Sequence, residues 1–100
     1  MMEMACPFCS LPIERVAGES VKAFWVRDGF PVSPGHCLII PKRHISSFFE
    51  VTDQERKELM ALLDAAKAEI DEEFQPSGYN ISINDGAAAG QTVPHLHIHC

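Results

Sequence analysis

The stretch Gly90–Cys100, GQTVPHLHIHC, sets His95, His97 and His99 at alternate positions, with Leu96, Ile98 and Cys100 between them and after them. Alternation with period two marks a β-strand, because successive side chains leave the backbone on opposite faces. The three imidazoles therefore share one face, about 6.6 Å apart. Leu96, Ile98 and Cys100 point the other way and need an apolar layer over them. Thr52 to Phe74 supplies it: Leu59, Leu63, Ala66 and Ile70 recur at helical spacing and form one apolar stripe. Thr52 and Glu55 have the spacing of a capping box at its start, and QPSG at positions 75–78 stops it.

Three more segments read as strands. Val21–Asp28, VKAFWVRD, is rich in aromatic and β-branched residues, and His36–Lys42, HCLIIPK, is an apolar run suited to the centre of a sheet. Tyr79–Asp85, YNISIND, alternates. Residues 5–10 turn around Pro7, GFPVSPG is a loop, and GAAAGQT is a glycine-bearing loop. No repeat or linker divides the chain, so residues 1–100 form a single domain. The order strand, strand, helix, strand, strand implies the α+β class: an antiparallel sheet with one long helix packed on it.

With 46% apolar and 22% charged residues, the composition is that of a globular protein. A net charge of −6 argues against nucleic acid as a partner, since displacing phosphate counterions needs a basic face. No apolar run reaches the roughly 18 residues of a membrane span, and MMEMACPFC lacks the pattern of a signal peptide. A cytoplasmic protein is the resulting expectation. Four cysteines in such a chain point to metal binding, redox chemistry or packing before a disulfide framework. Cys6 and Cys9 form a CxxC pair, and Cys37 reads as a small buried residue in its apolar run.

Imidazole serves as metal ligand, general acid or base, and nucleophile. Three rings strung along about 13 Å of strand do not converge on one tetrahedral ion, so the histidines divide the work. Gly86, Gly90, Gln91 and Thr92 form a loop of little bulk just upstream. Successive N–H groups in such a loop make a nest for an anion, and a phosphate there would lie beside the histidine face.

INDGAAAGQTVPHLHIH resembles the signature of the histidine-triad (HIT) family, in which three histidines alternate with hydrophobic residues behind a Gly-Gln-Thr/Ser-Val loop. PVSPGHCLIIPKRHIS resembles the family's Pro-Gly-His turn into a central strand, and ACPFCSLP resembles the start of its bacterial, zinc-binding members. The resemblance implies a HIT-like fold and a nucleotide hydrolase or transferase acting at the α-phosphate of nucleoside 5′-phosphate derivatives, such as dinucleoside polyphosphates or nucleoside phosphoramidates. It implies His97 as the nucleophile that forms a nucleotidyl-histidine, and His99 as the group that holds a phosphate oxygen or assists the leaving group. Gly90, Gln91, Thr92 and Val93 would hold the phosphate.

By the same resemblance Asp28 would grip the ribose hydroxyls, with a turn-capping role beside Gly29 as the alternative. Asn84 would contact the phosphate or leaving group, or else serve the Asn-Asp-Gly turn. Phe8, Ile13 and Phe24 would line the base pocket, or pack the core. His36 matches a position read as structural. A structural Zn²⁺ would be held by Cys6, Cys9, His44 and His95. Partners would be the nucleotide substrate and a second copy of the chain in a homodimer. Family members continue beyond the third histidine, so this chain is expected to be truncated at its C-terminus. The competing readings are a nucleotide-binding sensor without turnover and a glutaredoxin-like oxidoreductase using CPFC. The latter needs a strand before the motif and a helix starting within it, and SLPIERVAGES, with its proline and glycine, makes no clean helix.

Overall fold

The computed structural model describes residues 6–27 and 35–100. Four strands pair antiparallel in the order β1-β2-β3-β4: β1 Val16–Glu19, β2 Ala23–Arg27, β3 Cys37–Pro41 and β4 Ile98–His99. One long helix, α1, spans Asp53–Phe74. The α+β class with a single helix on an antiparallel sheet is the observed architecture, and among the described residues no helix is long and apolar enough to cross a membrane.

The strand pattern divides the core in two. Ala23, Trp25, Cys37, Ile39, Leu96 and Ile98 face Leu59, Leu62, Ala66 and Ile70 of the helix. Phe24, Val26, Leu38 and Ile40 face the other way and are covered by Phe8, Leu11 and Val16 of the N-terminal segment. Both faces of the central strands are thus buried, which is why β3 reads as an unbroken apolar run. The helical stripe differs by one position from the expected one: Leu62 is buried and Leu63 only packs at its margin. A straight helix of 3.6 residues per turn drifts across a flat sheet, and its 3-and-4 alternation leaves that choice to the sheet.

Three strand expectations are corrected. β1 was not foreseen, because VAGE has weak strand propensity. Gly18 is required there: a Cβ would lie 2.6 Å from Trp25 Nε1, so the tryptophan packs only over a glycine. Tyr79–Asp85 forms no strand; it touches β4 through one bridge, Ser82 to His99. Its ends are tied elsewhere, Tyr79 Oη to Asp71 at 2.6 Å and Asp85 to the backbone N–H of Phe48 at 2.9 Å. The triad segment pairs with β3 over Ile98–His99 instead of over all six residues. Pro41 stands where Leu96 would pair, and without an N–H it cannot donate to the ladder. The Leu96 N–H turns to the carbonyl of Ile45 at 2.7 Å. Cys37 is buried as expected, yet it forms a disulfide with Cys100, Cα–Cα 5.2 Å, where packing alone had been anticipated.

The capping box of α1 is present, and it does more than cap. Glu55 accepts from the Thr52 N–H at 2.8 Å, and its own N–H donates to Thr52 Oγ1 at 3.1 Å. The same carboxylate is buried and receives two bonds from Arg43, Nε and Nη2, both at 2.9 Å. The Arg43 guanidinium, and then the Thr52 backbone, hold the Glu55 carboxyl at about 2, against the opposing effect of burial. A depressed carboxyl stabilises the fold above its unfolded value near 4.5, and that contribution is lost as pH falls toward 2. Since Arg43 is half exposed, roughly 2–3 kcal/mol is a fair magnitude. Glu55→Gln should lower the melting temperature by about 10 °C at pH 7 and by much less at pH 3. An equal deficit at both pH values would contradict the ion pair as its cause.

Candidate active site and metal centre

All five histidines of the chain fall on two connected groups of ring contacts. His36 stacks on His99 at 5.4 Å between centroids, and His99 meets His97 edge-on at 4.8 Å. His44 meets His95 edge-on at 4.9 Å. Phe8 lies between the groups, 5.0 Å from His97 and 5.8 Å from His95, both edge-on. The shared face expected from the alternation is thus realised, although only Ile98 and His99 of this segment are paired strand, and His99 alone among the triad histidines.

Each triad ring has a different partner. His97 Nδ1 lies 2.8 Å from the carbonyl of His95. A carbonyl only accepts, so Nδ1 carries the proton, and a neutral ring then keeps its lone pair on Nε2. The ring is 8% exposed, under the edge of Phe8. His99 Nδ1 is 3.3 Å from His36 Nε2, which places His36, read from the sequence as structural, beside the third triad histidine. His95 is fully buried. Its Nε2–H donates to the Pro41 carbonyl at 2.8 Å, the acceptor that the interrupted ladder leaves over, and its Nδ1 lone pair faces Cys6 at 3.3 Å and Cys9 at 3.5 Å. Burial first, and then the neighbouring His44 and His97, push the His95 imidazole below its ordinary value and favour the neutral ligand form.

Cys6, Cys9, His44 and His95 therefore converge, with their ligand atoms all within 4.8 Å of one another and His44 Nδ1 3.2 Å from Cys9 Sγ. Both cysteines are free thiols. The donor set fits a tetrahedral zinc: with ligand bonds of about 2.0–2.3 Å, donor atoms sit roughly 3.3–3.8 Å apart, close to the sulfur–nitrogen distances here. Desolvation, and then Cys6 beside it, push the Cys9 thiol up; a bound cation reverses that order by deprotonating both. CPFC itself lies in a turn closed by the Cys9 N–H on the Cys6 carbonyl at 3.1 Å. Only a short 3₁₀ turn, Ile13–Arg15, follows, with no helix to activate a redox thiol.

The loop of Gly86–Gln91 is built with an internal staple. Gly86 and Gly90 adopt φ of +95°, where a side chain would be strained. Gln91 accepts from the Gly86 N–H at 2.7 Å and donates to the carbonyls of Ser46 and Val93 at 3.0 and 3.1 Å. The N–H groups of Ala89, Gly90 and Gln91 also bond within the loop, so these donors hold its shape instead of forming the anion nest expected of them. Thr92 stands exposed beside them and Val93 is half buried. Asn84 lies on the histidine side of this loop: with His36, His99, Tyr79 and Ser82 it lines a cavity of about 410 Å³. Sequence reading missed that Ser82 and Tyr79 belong to this wall; their extended spacing was the only signal.

Of the expected base-pocket residues, Phe8 and Phe24 come together with Leu11 and Val16 around a crevice of about 220 Å³, in which Phe24 is largely buried core. Ile13 does not join them. It follows Pro12 into the 3₁₀ turn and stands 77% exposed, and Leu11 and Val16 take its place. Asp28 lies outside the described residues.

Comparison with known proteins agrees with this layout. A HIT-like protein of Mycoplasma pneumoniae described as uncharacterised is 37% identical over 98 residues, covering 94% of this chain and 68% of that protein. The Schizosaccharomyces pombe bis(5′-nucleosyl)-tetraphosphatase (asymmetrical) is 41% identical over 69 residues, 69% of this chain and 38% of its own length. The crystal structure of Plasmodium falciparum diadenosine triphosphate hydrolase in complex with cyclomarin A superposes with a TM-score of 0.84 at 25% identity, over 89% of this chain and 60% of that one. Residues 13–100 match the HIT domain family, and the chain belongs to it.

Proposed function

We propose that the chain is the catalytic domain of a nucleotide hydrolase that cleaves nucleoside 5′-phosphate derivatives at the α-phosphorus. The Nε2 lone pair of His97 attacks phosphorus, the bond to the leaving group breaks, and a nucleotidyl-histidine forms. Water then displaces the imidazole and releases the nucleoside monophosphate. The observation that carries this reading is the 2.8 Å bond from His97 Nδ1 to the His95 carbonyl, which selects the tautomer whose lone pair is on Nε2. His99, 4.8 Å away between centroids, and Asn84 serve the phosphate and leaving group from the cavity side. Thr92, exposed beside the stapled loop, offers its hydroxyl to the phosphoryl oxygens. Phe8, with Leu11 and Val16 beside it and Phe24 beneath, offers apolar surface to the base. The tetraphosphatase and triphosphate hydrolase named above support dinucleoside polyphosphates as the substrate class.

Cys6, Cys9, His44 and His95 would hold one Zn²⁺ whose contribution is structural: it ties the N-terminal turn, and with it Phe8, to the residue before the nucleophile's neighbour. Two such chains would associate as a homodimer. The test is to incubate the full-length protein with adenosine and guanosine polyphosphates, esters and amidates. Release of nucleoside monophosphate is expected. Tight binding with no product from any of them would replace the hydrolase with a nucleotide sensor.

A further inference from the structure

Cys37 and Cys100 take no part in the chemistry above, yet they sit directly beside it. Cys37 follows His36 and Cys100 follows His99, and those two histidines stack on one another. We propose that Cys37 and Cys100 form a reversible dithiol–disulfide site for low-molecular-weight disulfides, and that its redox state sets how His99 packs on His36. This goes beyond the hydrolase reading and does not rest on it.

Three observations carry the proposal. The pair is positioned for bonding by the sheet itself: Cys37 N–H donates to the Cys100 carbonyl at 3.1 Å, Cys100 N–H returns to Cys37 at 3.0 Å, and the Cα atoms are 5.2 Å apart, inside the usual disulfide range. One sulfur is reachable and the other is not. Cys37 is fully buried, whereas Cys100 is half-buried and lines the 410 Å³ cavity together with His36 and His99. Finally, the element being clamped is slight, since beyond the Cys37–Cys100 pair itself β4 meets β3 through Ile98 and His99 and Ser82 through one bridge.

The order of events follows from access. In the reduced protein the Cys100 thiolate, entering from the cavity, attacks one sulfur of a small disulfide RSSR. The S–S bond of RSSR breaks, RS⁻ leaves, and a mixed disulfide forms on Cys100. The buried Cys37 thiolate then attacks the Cys100 sulfur and expels the second RS⁻. Two electrons pass from the cysteine pair to RSSR, the two cysteine protons end on two RSH, and excess RSH drives the reverse. Cross-linked, the residue after His99 cannot leave the residue after His36. Reduced, only the two backbone hydrogen bonds between Cys37 and Cys100 hold that register.

Full-length, zinc-loaded protein equilibrated over a series of reduced-to-oxidised glutathione ratios, then acid-quenched, alkylated and peptide-mapped, tests this. A single two-electron transition confined to Cys37–Cys100 is expected, with Cys6 and Cys9 unchanged. The oxidised form should melt about 5–10 °C higher. The ring C–H signals of His36 and His99 in NMR spectra should differ between the two forms, with those of His44 unmoved. Cys100→Ser, and Cys100→Ala should the serine variant fold poorly, should abolish both the transition and the shift. A pair that stays reduced at every ratio, a transition that maps to Cys6–Cys9, or histidine signals identical in the two forms would overturn the proposal.

Discussion

Replacing His97 by alanine should lower turnover by on the order of 10³–10⁶-fold while leaving nucleotide affinity within a few-fold of the parent. The expectation follows from where the ring sits. Its Nδ1 is tied to the backbone of His95 and no hydrogen bond among the described residues engages Nε2, so removing the ring would delete the proposed attacking atom while leaving the Gly86–Gln91 loop in place. The loop keeps its form through Gln91 and the glycines, none of which touches His97 by hydrogen bond. The cost to folding is a cavity under Phe8 at the margin of the sheet, of about 1–3 kcal/mol. Equilibrium dialysis with a nonhydrolysable nucleotide, alongside single-turnover rates, separates the two effects. Turnover that persists in the variant at more than a few per cent would remove His97 from the chemistry.

How much of this was legible beforehand depends on range. The triad face and the capped helix are written in local periodicity, and both are found in place, because alternation and the 3-and-4 step act over a few residues. The Cys6–Cys9–His44–His95 cluster was reached through resemblance, and the structure brings the four together. What escaped are features decided by pairing partners distant in the chain. Pro41 halts the ladder opposite Leu96, a consequence invisible until the register of β3 against the triad strand is known. The Cys37–Cys100 disulfide joins residues 63 apart and depends on the same register. β1 was hidden because its glycine exists to admit Trp25, a tertiary demand that local propensity reads as a break. Leu63 packs at the margin of the core while Leu62 is buried, a difference of one position that periodicity alone does not resolve.

The second large effect concerns the metal. Cys6→Ser should reduce bound zinc from one equivalent to a small fraction and lower the melting temperature by roughly 10–15 °C. The four residues proposed to hold the ion come from the N-terminal turn, the segment after β3 and the head of the triad segment. Its loss would free Phe8 from His95 and His97 and uncover the apolar face of Phe24, Val26, Leu38 and Ile40. His95 would keep its bond to Pro41, so the triad backbone should survive while its cover does not. Metal analysis by atomic emission and a thermal melt on the same preparation read both consequences. Full zinc content and an unchanged melt in the variant would strip the cluster of its metal role.

That His97 Nε2 bonds covalently to phosphorus is open to a direct measurement. The full-length protein is mixed with an α-³²P-labelled nucleoside phosphoramidate, quenched in alkali within milliseconds, digested and mapped. Label should be recovered on the peptide carrying His97, stable in base and released by acid, as a phosphoramidate bond requires. Monophosphate formed at full rate with no label on that histidine, or label carried on His95 or His99 instead, would contradict it.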